Sequence, residues 1–379
     1  MRAIADTITT WLARILVGVY FAAVEIEGAD RLPPGPVLVV ANHQNGLVDG
    51  LLLMATLPRY PRFLGKSTLW KIVPLRPFLA LAGVVRLYRA SDVAGQLSAE
   101  SRTAGNDAAF TASRALLAAG GLIAIFPEGI SHDEVSLQGL RTGAARLALG
   151  AAEEGTPLVV VPAGVVYDDK SRFRSRALVR VGDPRSVSPY LDRYRRDSQD
   201  VVHAVTADLA ADLSGVGPDF ASVALAAQTA RIADLVLGRS DQPAPVRLGQ
   251  RDDLARRLAA CAGDPERAAG LRRVSAEVDG YLADLAAVGL DDATLLEAGR
   301  RRRIGLLIWW AGKVATGVPL AGAGFVVHAA PYSLMKVLGR LPKNQGMRST
   351  VKLLGSFGLY TLSYVGIGVT VGRRRGWRR

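Results

Sequence analysis

Apolar and polar positions along this chain fall into three textures. From residue 35 to about 190, short apolar runs alternate with helix-like stretches. Val37-Leu38-Val39-Val40 follows Pro33, Pro34 and Pro36, Leu122-Ile123-Ala124-Ile125-Phe126 follows a Gly-Gly turn, and Leu158-Val159-Val160-Val161 follows Gly155-Thr156-Pro157. Such runs predict strands buried on both faces. Residues 110–119 and 142–154 read as helices between them. Strand and helix in alternation predict an α/β domain. From about 216 to 300 the chain turns rich in Ala, Arg, Asp and Leu, with Pro243 and Pro245 as breakers. That texture predicts a solvated helical linker region. Farther on, residues 353–372 are 20 positions without a charge, a length that crosses a bilayer core as a helix. Residues 304–330 are apolar apart from Lys313 and His328.

The ends of this apolar pair are basic. Residues 300–303 precede it, and 373–375 with Arg378 and Arg379 follow it. Basic clusters at both outer ends suit a hairpin with its ends on the cytoplasmic side. Lys336, Arg340, Lys343 and Arg348 in the connector leave open a second topology, two segments lying in the interface or re-entering from one side. Residues 11–24 form another apolar run, broken by Arg14, with no clear small-residue cleavage site. They read as a membrane-facing helix rather than a removed signal peptide, with a core helix as the other reading. The expected organisation is therefore an N-terminal membrane-facing helix (1–25), an α/β domain (26–215), a helical linker (216–300) and C-terminal membrane helices (301–379).

Composition sharpens this picture. The 379 residues suffice for a large domain with additions or for two domains. Hydrophobic residues make up 49% and the mean hydropathy is +0.19, with the excess gathered in the stretches above. A formal charge of +13 and a pI of about 10.2 point to nucleic acid or an anionic membrane as partner. Aromatic residues are only 6% and no nucleic-acid-reading motif is present, so the expected partner is an anionic membrane and not nucleic acid. The single cysteine, Cys261, excludes an intrachain disulfide and a Cys-type zinc site.

Candidate chemistry gathers after two of the predicted strands. Asn42-His43-Gln44-Asn45-Gly46-Leu47-Val48-Asp49 follows the first, and strand ends are where α/β folds place their sites. A carboxylate six positions after a histidine can fix its tautomer across a loop-to-helix turn and stabilise the imidazolium. The free ring nitrogen would then take a proton from an acceptor hydroxyl. A histidine satisfied by nearby backbone is the plainer alternative. Phe126-Pro127-Glu128-Gly129-Ile130-Ser131-His132-Asp133 follows the second strand. It reads as a tight turn with Glu128 at its apex, able to accept from a polyol hydroxyl or simply structural. The spacings of His43, Asp49, His132 and Asp133 match no standard metal-ligand motif, and no metal is expected.

Taken together and in this order, the two clusters resemble the phospholipid/glycerol acyltransferase superfamily of glycerol-3-phosphate and lysophosphatidate acyltransferases. Gly65-Lys66, Pro74, Gly83 and Arg89 look like that family's second block, and Val161-Pro162-Ala163-Gly164 like its fourth. The resemblance covers about residues 25–185. Two features depart from the commonest pattern. Five residues, not four, separate His43 from Asp49, and Ser131 stands where relatives carry a phosphate-binding arginine. Both departures, with Tyr167, Phe173-Arg174-Ser175-Arg176 and Gly182-Asp183-Pro184, resemble the branch containing fungal glycerol-3-phosphate and dihydroxyacetone-phosphate acyltransferases and their bacterial relatives.

The resemblance implies a glycerol-phosphate acyltransferase-like α/β domain and an O-acyltransferase of glycerophospholipid synthesis. His43 would be the general base and Asp49 its partner. The acyl donor would be acyl-CoA or acyl carrier protein, and the acceptor glycerol-3-phosphate or 1-acylglycerol-3-phosphate. No cofactor is implied. Phe126, Pro127, Glu128 and Gly129 would position the acceptor's glycerol portion. Lys66, Arg89 and Arg141 are candidates for its phosphate, since cationic donors suit that group. The site would face the cytoplasmic side of a membrane. A non-catalytic lipid-binding protein on the same fold, or an acyltransferase for a non-phosphate lipid acceptor, are the alternatives.

Overall fold

A computed structural model describes residues 2–88, 99–238, 246–290, 292, 303–339 and 345–374. The chain divides into two compact units, Met1–Asp219 and Phe220–Arg379.

In the first unit, helix α1 (Arg2–Tyr20) runs straight into strand β1 (Phe21–Glu27). Thr9, Ala13, Leu16, Val17 and Tyr20 of α1 are buried, at the spacing of one helical face. That face packs on helix α2 (Leu47–Thr56), with Arg14 Nε donating to the Ala55 carbonyl at 3.2 Å. Ile4, Ile8, Trp11 and Val19 stay exposed. Among the described residues α1 is long and apolar enough to cross a membrane by length and composition. The helix expected over 11–24 thus begins earlier and ends at Tyr20. Residues 21–24 instead pair with strand β7 (Ser175–Val181), a distant partner that overrides local preference.

The remaining strands are β2 (Val37–Ala41), β3 (Arg62–Lys66), β4 (Val85–Leu87), β5 (Leu122–Ile125), β6 (Val159–Tyr167) and β8 (Arg185–Ser186). They complete an eight-stranded sheet ordered β1-β7-β6-β2-β5-β3-β4, with β8 pairing β6. All pairings are parallel except β6 with β7 and with β8. The alternation expected from the sequence is present, and β2 lies inside the sheet with every residue buried. Helix α3 (Arg76–Ala82) precedes β4, α4 (Ala99–Ala118) starts well before the expected residue 110, α5 (Gly143–Glu153) lies within the expected 142–154, and the short α6 (Leu191–Tyr194) comes after β8.

Helix α5 is buried at Ala144, Ala145, Leu147, Ala148, Leu149, Ala151 and Ala152. Its alanines let it sit close against Leu38, Val40, Ile123 and Val160 of the sheet and Val205, Leu209 and Leu213 of helix α7 (Ser198–Val216). Strand β6 runs six residues beyond the expected 158–161. Its Gly164 lies under the end of α7, where an added Cβ would stand 2.0 Å from the Val216 carbonyl oxygen.

The second unit has helices α8 (Val223–Gly238), α9 (Leu248–Ala260) and α10 (Pro265–Ala287) around a small core of Ile232, Leu271 and Val278. Asp264 caps α10, accepting from the Glu266 and Arg267 amides, with Pro265 in the first turn. Two long helices follow, Arg303–Leu338 with 36 residues and Gln345–Arg374 with 30. They contain the expected apolar runs 304–330 and 353–372. Lys336 and Arg348, read as connector, are helical, whereas Arg340 and Lys343 lie outside the described residues. Ile308, Val318, Phe325, Leu362 and Val365 are exposed on these helices.

Candidate active site

Parallel strands β2, β5 and β3 end at one edge of the sheet. Several of the residues singled out from sequence lie at or just beyond those ends. His43 follows β2, Phe126–Gly129 follow β5, and Lys66 closes β3. The loop after β2 is fixed to the sheet by Asn42, whose side chain pairs with both backbone groups of Val165 on β6, at 3.0 and 2.7 Å. Asp49 stands in the first turn of α2, fully buried, where the helix N-terminus favours a negative charge.

His43 Nδ1 lies 2.9 Å from Asp49 Oδ2. The five-residue spacer therefore still closes the pair. The same Asp49 oxygen accepts from the Asn45 amide at 2.7 Å, and Oδ1 accepts from the Tyr167 hydroxyl. Three donors thus compensate a carboxylate taken fully out of water, which would otherwise be costly. Burial, and then the charge of Asp49, push the Tyr167 phenol well above its ordinary pKa, so it stays a donor. With Nδ1 committed to Asp49, Nε2 is the ring nitrogen left to take a proton. The imidazole is stacked on Phe126, centroids 4.3 Å apart and planes 16° apart. Phe126 is stacked in turn on Phe63.

Glu128 is buried, and donors meet both its oxygens. The His43 amide donates to Oε1 at 2.7 Å, while the His132 ring and the Gln138 amide, at 3.0 Å, reach Oε2. The His132 amide also donates to the His43 carbonyl at 3.3 Å. The segment Phe126–Asp133 therefore holds the His43 backbone at both its amide and its carbonyl. His132 and Asp133 have structural partners here, His132 with Glu128 and Asp133 with Lys170. Lys170, in the turn after β6, also reaches the carbonyls of Gln44 at 3.4 Å and His132 at 3.0 Å.

Gly129 has φ +74°, a left-handed conformation, and an added Cβ would meet Arg141 Nε at 2.6 Å. The exposed Arg141 thus lies against the Glu128 turn, and its amide donates to the Pro127 carbonyl at 2.8 Å. Lys66 is half-buried. Arg89 lies outside the described residues. Among the described residues no group of three or more His, Cys, Asp or Glu side chains could hold a metal ion. Sequence reasoning missed the hydrogen bond of Tyr167 to Asp49, the clamp of Lys170 and the pairing of Glu128 with His132. Only Tyr167 carried a signal, as the polar end of an apolar strand.

Against known proteins, residues 23–166 match the family model described as Acyltransferase. The chain carries an acyltransferase domain. Over these residues it is similar to the phospholipid/glycerol acyltransferases. Glycerol-3-phosphate O-acyltransferase 2 of Saccharomyces cerevisiae is 33% identical over 137 residues, 35% of this chain and 18% of that protein. Glycerol-3-phosphate O-acyltransferase 1 of the same yeast is 44% identical over 70 residues, 18% of this chain and 9% of that one. An uncharacterised acyltransferase of Schizosaccharomyces pombe is 26% identical over 267 residues, 49% of this chain and 40% of that one. The chain thus spans less than half the length of these relatives. The crystal structure of the 1-acyl-sn-glycerophosphate acyltransferase of Thermotoga maritima superposes with a TM-score of 0.37 and 17% identity, covering 55% of this chain and 80% of that one.

Proposed function

We propose that this protein transfers a fatty acyl group from acyl-CoA or acyl carrier protein to a hydroxyl of glycerol-3-phosphate or 1-acylglycerol-3-phosphate, with His43 as general base. The observation that carries the reading is the His43–Asp49 pair, 2.9 Å apart at a strand end of the acyltransferase domain. The acceptor oxygen attacks the thioester carbonyl carbon as its proton passes to His43 Nε2. The tetrahedral intermediate collapses with cleavage of the carbon–sulfur bond, and the imidazolium returns the proton to the departing thiolate. The Asp49 carboxylate balances the imidazolium. No acyl-enzyme and no cofactor are required.

Phe126, Pro127, Glu128 and Gly129 act in this reading by shaping the acceptor's place beside His43. Phe126 sets the plane of the imidazole, and Glu128 holds its peptide. Lys66, Arg89 and Arg141 supply cationic partners for the phosphate. Similarity to the two yeast glycerol-3-phosphate O-acyltransferases supports a glycerol-phosphate acceptor. A product that partitions into lipid favours a site at the membrane surface, here its cytoplasmic side. Helix α1 and the two long C-terminal helices, with their exposed apolar side chains, would serve as anchors.

The test is thiol release by the purified full chain from acyl-CoA and acyl carrier protein. Glycerol-3-phosphate, dihydroxyacetone phosphate and lysophosphatidate serve as acceptors, with products read by mass spectrometry. Turnover should fall on the order of 10²–10⁴-fold in folded His43→Ala. No thioester consumption by the wild type, or near-normal turnover in that variant, overturns the reading.

A further inference from the structure

We infer that Tyr167 is a positioning residue of this site, a third member behind His43 and Asp49 that sets how much negative charge Asp49 offers the imidazole. The inference rests on the reading of His43 as general base.

Tyr167 closes β6, the strand beside β2. Its hydroxyl donates to Asp49 Oδ1, the oxygen opposite the one facing His43. Its ring is stacked on Phe21, centroids 5.8 Å apart and planes 25° apart. The donor is therefore held in direction by packing rather than free to rotate into water. The phenol stays protonated, because burial and the neighbouring carboxylate disfavour its anion.

A carboxylate that gives electron density to a strong donor at one oxygen has less to give at the other. Tyr167 thereby tempers the pull of Asp49 on the His43 proton. Loss of the hydroxyl would strengthen that pull. Among the described residues, Tyr20 of α1 also acts on the phenol, Glu128 meets His43 through its amide, and His132 meets the His43 carbonyl through its own amide. The Lys170 ammonium is engaged by the Gln44 and His132 carbonyls and by Asp133. A substitution at Tyr167 removes or alters one hydroxyl and leaves these groups in place.

The experiment compares pH profiles of kcat/KM for the full chain, for Tyr167→Phe, and for the chain with 3-fluorotyrosine at position 167. Removing the donor should move the acidic limb to higher pH, by about half to one unit. A more acidic phenol is a stronger donor and should move the limb the other way. A residue with only a packing role would shift neither limb, since all three side chains have nearly the same shape. The fluorinated side chain keeps the hydroxyl, so the test survives if Tyr167→Phe fails to fold. Unmoved limbs, or limbs moving in the same direction, in an enzyme that His43→Ala inactivates, overturn the role of Tyr167 alone. No turnover in the wild type overturns the base assignment, and this inference with it.

Discussion

Asp49→Asn isolates the charge of the buried partner while keeping its shape. Three donors converge on the native carboxylate: the His43 ring and the Asn45 amide on one oxygen, and the Tyr167 hydroxyl on the other. An asparagine has one acceptor oxygen and one amide nitrogen. The Asn45 N–H cannot accept, so the oxygen must take the position shared by His43 and Asn45. The new amide nitrogen then faces Tyr167, whose hydroxyl oxygen can accept. The histidine keeps its tautomer, and what is lost is the charge. An imidazolium and a carboxylate about 4 Å apart between charge centres attract by about 4 kcal/mol at an effective dielectric constant of about 20. If the proton is half transferred in the transition state, about 2 kcal/mol is lost, and if fully transferred about 4 kcal/mol. With each 1.36 kcal/mol worth about tenfold, kcat should fall between about 30- and 1,000-fold. KM should hardly change, because Asp49 is fully buried and has no surface to offer a substrate. Initial rates of thiol release at saturating acceptor, with thermal melting as the control for folding, measure both. A folded Asp49→Asn enzyme with kcat within threefold of wild type would refute the electrostatic role. Asp49→Ala is a poorer probe, since it strands three donors at about 1–3 kcal/mol each.

Replacing Lys66, Arg89 and Arg141 singly by Gln should reduce kcat/KM about 10- to 150-fold for at least one variant, the worth of a charge-assisted hydrogen bond. The loss should be confined to phosphorylated acceptors. Equal behaviour of all three variants on a dephosphorylated analogue and its parent would move a non-phosphate lipid acceptor to the front. Truncation before Arg300 should release much of the protein from membranes while leaving the far-ultraviolet signature of the α/β unit. Undiminished attachment to vesicles would assign the anchor to α1 and the basic surface.

Much of the fold was legible because the central strands are defined by local chemistry. Val37–Ala41 and Leu122–Ile125 are continuous apolar runs, and a run buried on both faces needs no distant information to be seen. The start of α4 and the end of α1 were not legible. Residues 21–24 are as apolar as the helix before them, and only their pairing with β7, more than 150 residues away in sequence, makes them a strand. The His43–Asp49 pair was legible for a related reason. His43 and Asp49 are brought together by one turn and the start of one helix, so six residues of sequence contain the whole geometry.

The sequence alone therefore determined the central strands β2 and β5, the polar residues that follow them and the basic, apolar character of the chain. Each depends on neighbours within a few residues. Tertiary structure alone decided which groups hold the pair in place. Tyr167 reaches Asp49 across 118 positions, and Lys170 reaches Gln44 across 126. Glu128, read from sequence as able to accept from a polyol hydroxyl or as simply structural, is buried with donors on both oxygens, one of them the amide of His43 itself. A buried carboxylate must find its donors wherever the sheet order brings them, and that order, with β2 between β5 and β6, is set by the packing of the whole unit rather than by any short stretch of chain.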